Sequence, residues 1–432
     1  MKILFCSSGP YSGSGYGTQV YHLMKHFTKK KHVVGLIATD FGKLIDFQKK
    51  PYRFSELVNL KKFNIEKNIS DLPDYPIYPI LDNEYGWDVI KQHSIHFQAD
   101  VVIFFRDPWK ILDIKSPVEI PENLFTWIPI DHDPVSLTLI KCVKVIPNLV
   151  SMADFGYRQL MQNGLNNTMI PHCIGIDSRV EEYRSKKKLH ILKNEIREQF
   201  QQKYSTLRFS EYHPVVLIML TNNQFPSRKA IDSNLSGLRK FVKNYPETKI
   251  IIHSNMNGIE NNRKEGIDMN YICKYLDFPL SMIWVPYGSK IVSRKEITDL
   301  YLISDILLHC SAGEGFGVPI IESQYYGCSV VTNHCTAMPE ITVNGVCVNN
   351  NQKIYVNNVN SFWYYPNPDD ISKALLQIAS REEILNKFLL HSGSQFISEY
   401  FNTEVVGDKW LKLLQSKSNN NPNWLTVTAK KI

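Results

Sequence analysis

No stretch of this chain reaches the roughly 18 consecutive apolar residues that a membrane helix requires. No two of its eight cysteines are spaced C-x-x-C, so neither a zinc site nor a disulfide framework is expected. Cys6, Cys142, Cys173, Cys273, Cys310, Cys328, Cys335 and Cys347 read instead as buried free thiols, which points to a reducing, cytoplasmic compartment. The N-terminal apolar run is only Ile3-Leu4-Phe5-Cys6. That is too short for a signal-peptide core and reads as a first buried strand. No internal repeat is present. The formal charge of +7 is too mild for a dedicated nucleic-acid binder of this length, so no nucleic-acid partner is expected. Two basic clusters, Lys29-Lys30-Lys31 and Lys186-Lys187-Lys188, read as solvated surface or as a weak attraction to an anionic membrane or acidic acceptor.

What is present is an ordinary globular balance. The 432 residues are 43% hydrophobic and 21% charged, a length that suggests two domains. Short apolar runs alternate with stretches of helical spacing. Lys2–Cys6, Val33–Ala38, Val101–Phe105, Leu124–Ile130, Leu149–Met152 and Met169–Pro171 read as strands, as do Val215–Leu220, Lys249–His253, Met282–Val285, Asp305–His309 and Ser329–Thr332. Several are apolar without alternation, as strands covered on both faces are. Thr18–Phe27 and Ile231–Asn244 have helical spacing. Repeated β-α alternation predicts an α/β fold with parallel sheets. The charged stretch from Asp177 to Glu195 is the expected junction, giving domains over 1–185 and 186–395. Near the end, Asn402 or Thr403 can cap a helix with apolar positions Val406, Trp410, Leu413 and Leu414. The Asn-rich pieces Asn349–Asn351 and Asn419–Asn421 read as loops.

Four motifs carry the chemistry. The strongest runs from Ser311 to Glu322, SAGEGFGVPIIE. A strand leads into a glycine-rich turn, Pro319 suits the first turn of a helix, and Gly327 fits its end. Without bulky side chains at Gly313, Gly315 and Gly317, backbone N–H groups can approach an anion, aided by the helix dipole. Glu314 and Glu322, eight positions apart, suit vicinal diols, because a carboxylate accepts two hydroxyl hydrogen bonds. The second motif, Asn222 to Lys229, places Arg228 and Lys229 after the strand Val215–Leu220, where ligands collect in open α/β sheets; adjacent cations there can neutralise a diphosphate. The third, Gly13-Ser14-Gly15-Tyr16-Gly17, is a glycine-rich first turn that lacks the G-x-G-x-x-G spacing of a dinucleotide site. It reads as a mobile wall of a cleft that approaches a phosphate. The fourth, Asp131-His132-Asp133, spells D-x-D, which can hold a divalent metal; the other phosphate-binding elements make a metal unnecessary, and Asp131 or His132 is expected to face the reacting group. Asp107 is a weaker neighbour, equally readable as a strand-end turn residue.

Together these residues resemble the group-1, E-x7-E type of retaining glycosyltransferase with the GT-B fold. Gly13 to Gly17 looks like that family's N-terminal glycine loop. Asp154-Phe155-Gly156 and Ile170 to Asp177 are similar to its S-x-F and P-x-G-I-D elements. Pro226 to Lys229 looks like its donor-phosphate motif, and Glu314 to Glu322 matches its signature. The resemblance implies two Rossmann-like parallel-sheet domains facing a central cleft, and a C-terminal segment, 396–432, that crosses back to the first. It implies a hexose moved from a UDP- or GDP-linked donor to a hydroxyl of a glycan, lipid or protein, with no cofactor or metal and with the possibility of peripheral membrane contact. The catalytic residues it implies are Asp131, His132, Arg228, Lys229 and Glu314. The donor-binding ones are Gly15, Gly17, Asn223, Gly315, Phe316, Gly317, Val318 and Glu322, with Glu322 on the ribose and Glu314 on the transferred sugar. The family's usual histidine after a late N-terminal strand has two candidates here, Asp131 and His132. Its glycine-arginine pair before the phosphate motif is replaced by Asn222-Asn223. A nucleotide-sugar epimerase of the same fold and a non-catalytic nucleotide-sugar-binding module are the alternatives; a dehydrogenase is disfavoured by the missing fingerprint.

Overall fold

The structure, a computed structural model, describes residues 1–40, 51–55, 72–114, 117–205, 207–210, 212–221, 228–260, 263–264, 266–287, 292–349, 351–380, 387–418 and 422–428. Two compact units emerge. One comprises 1–130, 134–175 and 401–432; the other comprises 131–133 and 176–400.

The first unit is built on strands β1 (Lys2–Ser7), β2 (Val33–Ala38), β3 (Tyr52–Arg53), β4 (Pro76–Pro79), β5 (Val101–Phe104), β6 (Val118–Pro121), β7 (Leu124–Ile128), β8 (Asn148–Ser151) and β9 (Asn167–Met169). Eight of them form one sheet in the order β3-β4-β2-β1-β5-β7-β8-β9. Only β3 runs antiparallel to its neighbour. The central strands are buried along nearly their whole length, which is why they read as continuous apolar runs. From β1 the chain runs outward through β2 to β4 and then returns to β5 on the other side. The order therefore reverses between β1 and β5, with the glycine turn 9–17 following β1 and Arg106-Asp107 following β5. Ser14 caps the helix Gly15–Lys29, its side chain accepting from the Gly17 amide. The helix Thr403–Gln415, capped by Asn402, packs on that helix. Gly407 permits the approach, since a Cβ there would lie 2.3 Å from the His26 ring. Trp410 is fully buried and meets Trp127 edge-on at 5.2 Å.

The second unit holds β10 (Val215–Met219), β11 (Lys249–His253), β12 (Ile259–Glu260), β13 (Arg263–Lys264), β14 (Ile283–Trp284), β15 (Ile306–His309), β16 (Ser329–Asn333), β17 (Gly345–Val348), β18 (Asn351–Val356) and β19 (Ser361–Pro366). Six of these make a parallel sheet ordered β14-β11-β10-β15-β16-β17. Its reversal lies between β10 and β15, so the loops after these two strands flank the place where open α/β sheets bind ligands. The antiparallel hairpin β18–β19 is separate from the sheet. A last strand, β20 (Trp424–Val427), pairs antiparallel with β6 in the first unit.

Several expectations need correction at element ends. The strand expected over Leu124–Ile130 stops at Ile128, which leaves Asp131 in the following turn. The strand expected at Met169–Pro171 lies two residues earlier. Asn351, read as loop, starts β18; hairpin pairing overrides the weak strand preference of asparagine. The polar stretch after Asp177 forms two helices, Ser178–Ser185 and Leu189–Lys203. All eight cysteines are free and seven are buried. Among the described residues no helix is long and apolar enough to cross a membrane.

Candidate active site

Two loops of the second unit meet at the C-terminal ends of β10 and β15. After β15, Cys310 to Gly317 form the glycine turn, and Gly317 adopts φ +103 at the cap of the helix Val318–Tyr325. That backbone conformation is open to glycine and strained for other residues. Pro319 lies in the first helical turn and Gly327, at φ +79, follows the helix end. After β10, Arg228 and Lys229 precede Ala230, whose φ of +44 turns the chain into the helix Ile231–Phe241.

Asn234 joins the two loops. It is fully buried. Its Nδ2 donates to the carbonyls of Ala230 at 2.8 Å and Cys310 at 3.0 Å, and its Oδ1 accepts from the Cys310 amide at 3.1 Å. The Ala312 amide adds a bond to the Arg228 carbonyl at 2.7 Å. The backbones bearing Lys229 and Glu314 are thus fixed to each other through buried hydrogen bonds.

The side chains close on Glu314. Lys229 Nζ lies 2.5 Å from Glu314 Oε1, and Arg228 Nη1 lies 3.0 Å from Oε2 and 2.6 Å from the Gly313 carbonyl. His309 Nε2 is 2.9 Å from Oε1. Arg228 Nε lies 3.3 Å from Asp131 Oδ2, and His132 Nδ1 is 3.0 Å from Asp131 Oδ1. No side chain fits at Gly313, because a Cβ there would lie 2.0 Å from the Asp131 carbonyl oxygen. The hairpin β18–β19 lies against the same loop: the Tyr364 amide donates to the Ala312 carbonyl, and Tyr364 Oη donates to Asp133 Oδ2 at 2.8 Å.

Burial disfavours ionisation of Glu314, but Lys229 and Arg228 outweigh it, with His309 assisting, and hold the carboxyl well below its ordinary value. Asp131 is lowered on the same balance, burial opposed chiefly by Arg228. Burial lowers the Lys229 ammonium against the pull of Glu314, and it lowers His309, whose ring is neutral at pH 7. Glu322 sits differently. Tyr301 Oη donates to its Oε2 at 2.8 Å, and burial raises the carboxyl to about 7.

Of the residues expected from sequence, Asp131, His132, Arg228, Lys229 and Glu314 form one connected cluster. Gly315, Phe316, Gly317, Val318 and Glu322 lie on the turn and helix that follow. Gly15 and Gly17 belong to the first unit, in the opening turn of its first helix. Asn223 lies outside the described residues. Asp131 and Asp133 of the D-x-D pattern are engaged by Arg228 and Tyr364, and among the described residues no group of three or more His, Cys, Asp or Glu side chains forms a metal-binding set. Sequence reasoning missed His309, Asn234 and Tyr301. His309 leaves a signal, a polar residue closing the apolar run Ile306-Leu307-Leu308. Asn234 leaves another, standing on the helix face of Ile231, Leu235 and Leu238.

Residues 289–388, which contain the whole Glu314–Glu322 segment, match the family model described as glycosyl transferases group 1. No curated protein matches the chain in sequence. Solved structures match over nearly its entire length. A sucrose-phosphate synthase from Thermosynechococcus elongatus superposes with TM-score 0.64 at 11% identity, covering 96% of this chain and 98% of that one. Anabaena HepE in complex with UDP and glucose gives 0.60 at 14% identity, covering 96% and 100%. The pneumococcal O-GlcNAc transferase GtfA in complex with UDP and GlcNAc gives 0.57 at 11%, covering 96% and 99%. The chain therefore has the GT-B fold of these structures over nearly its whole length, and within it residues 289–388 match the group 1 glycosyl transferase model.

Proposed function

We propose that the protein is a retaining, metal-independent glycosyltransferase that moves a hexose from a UDP- or GDP-linked donor to a hydroxyl of a glycan, lipid or protein. The observation that carries this reading is the cluster at the reversal of the second sheet, where Lys229 and Arg228 converge on Glu314. Two cations at strand ends suit a diphosphate. A buried, ionised carboxylate beside them suits sugar hydroxyls. Glu322 would take the ribose diol, and the amides from Gly315 to Val318 would meet the phosphates at the helix start. Two of the similar structures hold UDP, which favours a uridine nucleotide.

As the anomeric C–O bond breaks, negative charge grows on the diphosphate. Lys229, Arg228 and the turn amides would stabilise that charge more in the transition state than in the ground state. The sugar becomes cationic, and the hydroxyls of its ring are held by Glu314. The acceptor oxygen bonds to the anomeric carbon on the face that the phosphate leaves, which retains the anomeric configuration, and the departing phosphate oxygen takes the acceptor's proton. Asp131 or His132 would face the transferred sugar. Gly15 and Gly17 remain candidates for a phosphate approach from the first unit, and Asn223 for a further donor contact. Peripheral membrane contact would follow if the acceptor is a lipid.

The test is a thermal-shift screen of UDP, GDP and ADP, followed by hydrolysis and transfer assays with the matching sugar nucleotides. Lys229→Ala and Glu314→Ala should each lose most transfer. Near-normal turnover in both would refute the assignment. An isomerised donor formed without acceptor would point to an epimerase, and tight diphosphate binding without transfer to a binding module.

A further inference from the structure

His309 closes β15, five residues before Glu314, and is 1% exposed. Its Nε2 faces the same carboxylate oxygen that binds Lys229. An ionised carboxylate only accepts hydrogen bonds, so Nε2 of the neutral ring carries the proton and Nδ1 carries the lone pair. That Nδ1 is buried without a hydrogen-bond partner. Leaving a buried acceptor unpaired costs free energy that an apolar side chain in the same place would avoid. The preceding residues Ile306, Leu307 and Leu308 are themselves apolar and buried. Histidine is therefore a poor choice for packing here and a good one for holding Glu314.

We propose that His309 is the positioning residue of the sugar-gripping carboxylate, fixing Glu314 Oε1 while Lys229 turns to the diphosphate. This rests on the function proposed above. Lys229 cannot give its full charge to a diphosphate and to Glu314 at once. As the ammonium moves toward phosphate, Glu314 loses a donor, and a buried carboxylate short of donors rotates or takes up a proton. His309 cannot follow Lys229, because its backbone is paired in the sheet with Thr332. It keeps one oxygen in place and keeps the group ionised. The other charged or titratable groups around Glu314 are Arg228, Lys229 and Asp131, with Cys335 from the segment after β16, whose thiol burial keeps neutral.

The experiment uses the full chain and whichever of UDP-glucose, UDP-N-acetylglucosamine, GDP-mannose and ADP-glucose gives the largest thermal shift. Donor hydrolysis and transfer are measured for the wild type, His309→Leu, His309→Gln, His309→Asn and Glu314→Ala. Loss of a hydrogen bond to a charged group predicts a fall in kcat of about ten- to hundredfold for His309→Leu. Donor KM should stay within about twofold, and the acid limb of kcat should move to higher pH. His309→Gln, whose amide nitrogen reaches the position of Nε2, should recover most of the rate; the shorter His309→Asn should not. This pair also decides the matter if the leucine variant fails to fold. Wild-type kcat and pH profile in His309→Leu, or equal rates in the glutamine and asparagine variants, with Glu314→Ala inactive, would overturn the positioning role and leave the functional reading standing. An active Glu314→Ala, or no shift with any of the four donors, would overturn that reading and this role with it.

Discussion

Lys229 Nζ and Glu314 Oε1 lie 2.5 Å apart, so the cation proposed for the diphosphate and the carboxylate proposed for the sugar are bound to each other. A donor must exchange this contact for two of its own, phosphate on the ammonium and hydroxyls on the carboxylate. The exchange couples recognition of the two halves of the donor. A molecule offering only one half leaves the other partner of the pair uncompensated.

Glu314→Gln tests that coupling. The amide keeps the shape but gives up the charge that competes for Lys229 and Arg228. UDP should then bind more tightly, by roughly tenfold at most, the equivalent of about 1.4 kcal/mol. Transfer should fall by about a hundredfold or more, since the oxocarbenium-like sugar loses its carboxylate. Titration calorimetry with UDP and single-turnover transfer read the two effects separately. Weaker UDP binding would show that Glu314 does not compete for the cations.

The same pair predicts a pattern in stability. Removing one partner of a buried ion pair leaves an uncompensated charge, at a cost of about 3–5 kcal/mol. Arg228 and His309 still serve Glu314, so Lys229→Met should fall at the low end. Lys229→Met with Glu314→Gln should be less destabilised than Lys229→Met alone. The pH dependence carries a definite sign. The depressed Glu314 carboxyl contributes stability above its unfolded pKa, and that stability is lost as pH falls through its low folded value. In Lys229→Met the folded value rises toward the unfolded one, so less stability is lost on acidification and the loss is complete at less acidic pH. Thermal denaturation from about pH 2 to 8 shows whether the variants differ in this order.

Much of this arrangement was legible in the sequence, and the reasons are local. Glycines at 313, 315 and 317, Pro319 and Gly327 mark a strand–turn–helix whatever surrounds them. Runs such as Val215–Met219 announce a strand covered on both faces. What escaped depends on contacts distant in sequence. Asn234 is an ordinary helix residue until Cys310, 76 positions away, brings its amide and carbonyl to it. Tyr301 and Glu322 meet across 21 residues. The hairpin β18–β19 was missed because Asn349–Asn351 read as loop, whereas cross-strand pairs such as Tyr355 with Phe362 hold it together. The strand Trp424–Val427 likewise exists through its pairing with Val118–Pro121.

Glu322 gives a second pH prediction of opposite character. Burial raises its carboxyl to about 7, so near neutrality it is a mixture of acid and carboxylate. The ionised form accepts from both hydroxyls of a ribose, and the acid form gives up an acceptor. Affinity for a sugar nucleotide should therefore rise between pH 6 and 8. Glu322→Gln should bind more weakly and lose that dependence. A sugar nucleotide is the right probe, because its esterified phosphates do not titrate in this range. For the stability of the protein the sign is reversed: a raised carboxyl favours the folded state below the unfolded value near 4.5, and its contribution falls as pH rises toward 7.

Asn234 tests whether the two loops act as one body. Leucine has the same branched arrangement of heavy atoms as asparagine, with bulkier ends, so Asn234→Leu removes the hydrogen bonds without opening a cavity. The Cys310 amide loses its Asn234 partner, as do the carbonyls of Cys310 and Ala230. A buried group left unsatisfied costs about 1–3 kcal/mol, so a loss of at least about 2 kcal/mol is expected from chemical denaturation. The functional effect should exceed what unfolding explains. At a temperature where the variant is fully folded, its kcat should fall while UDP still binds through Glu322 and the helix turn, because the lost bonds fix Lys229 relative to Glu314. Asn234→Asp keeps the acceptor for the Cys310 amide but places a charge against the Cys310 and Ala230 carbonyls, and should be the worse of the two. A leucine variant with wild-type stability and turnover would show that the sheet alone sets the spacing of Lys229 and Glu314.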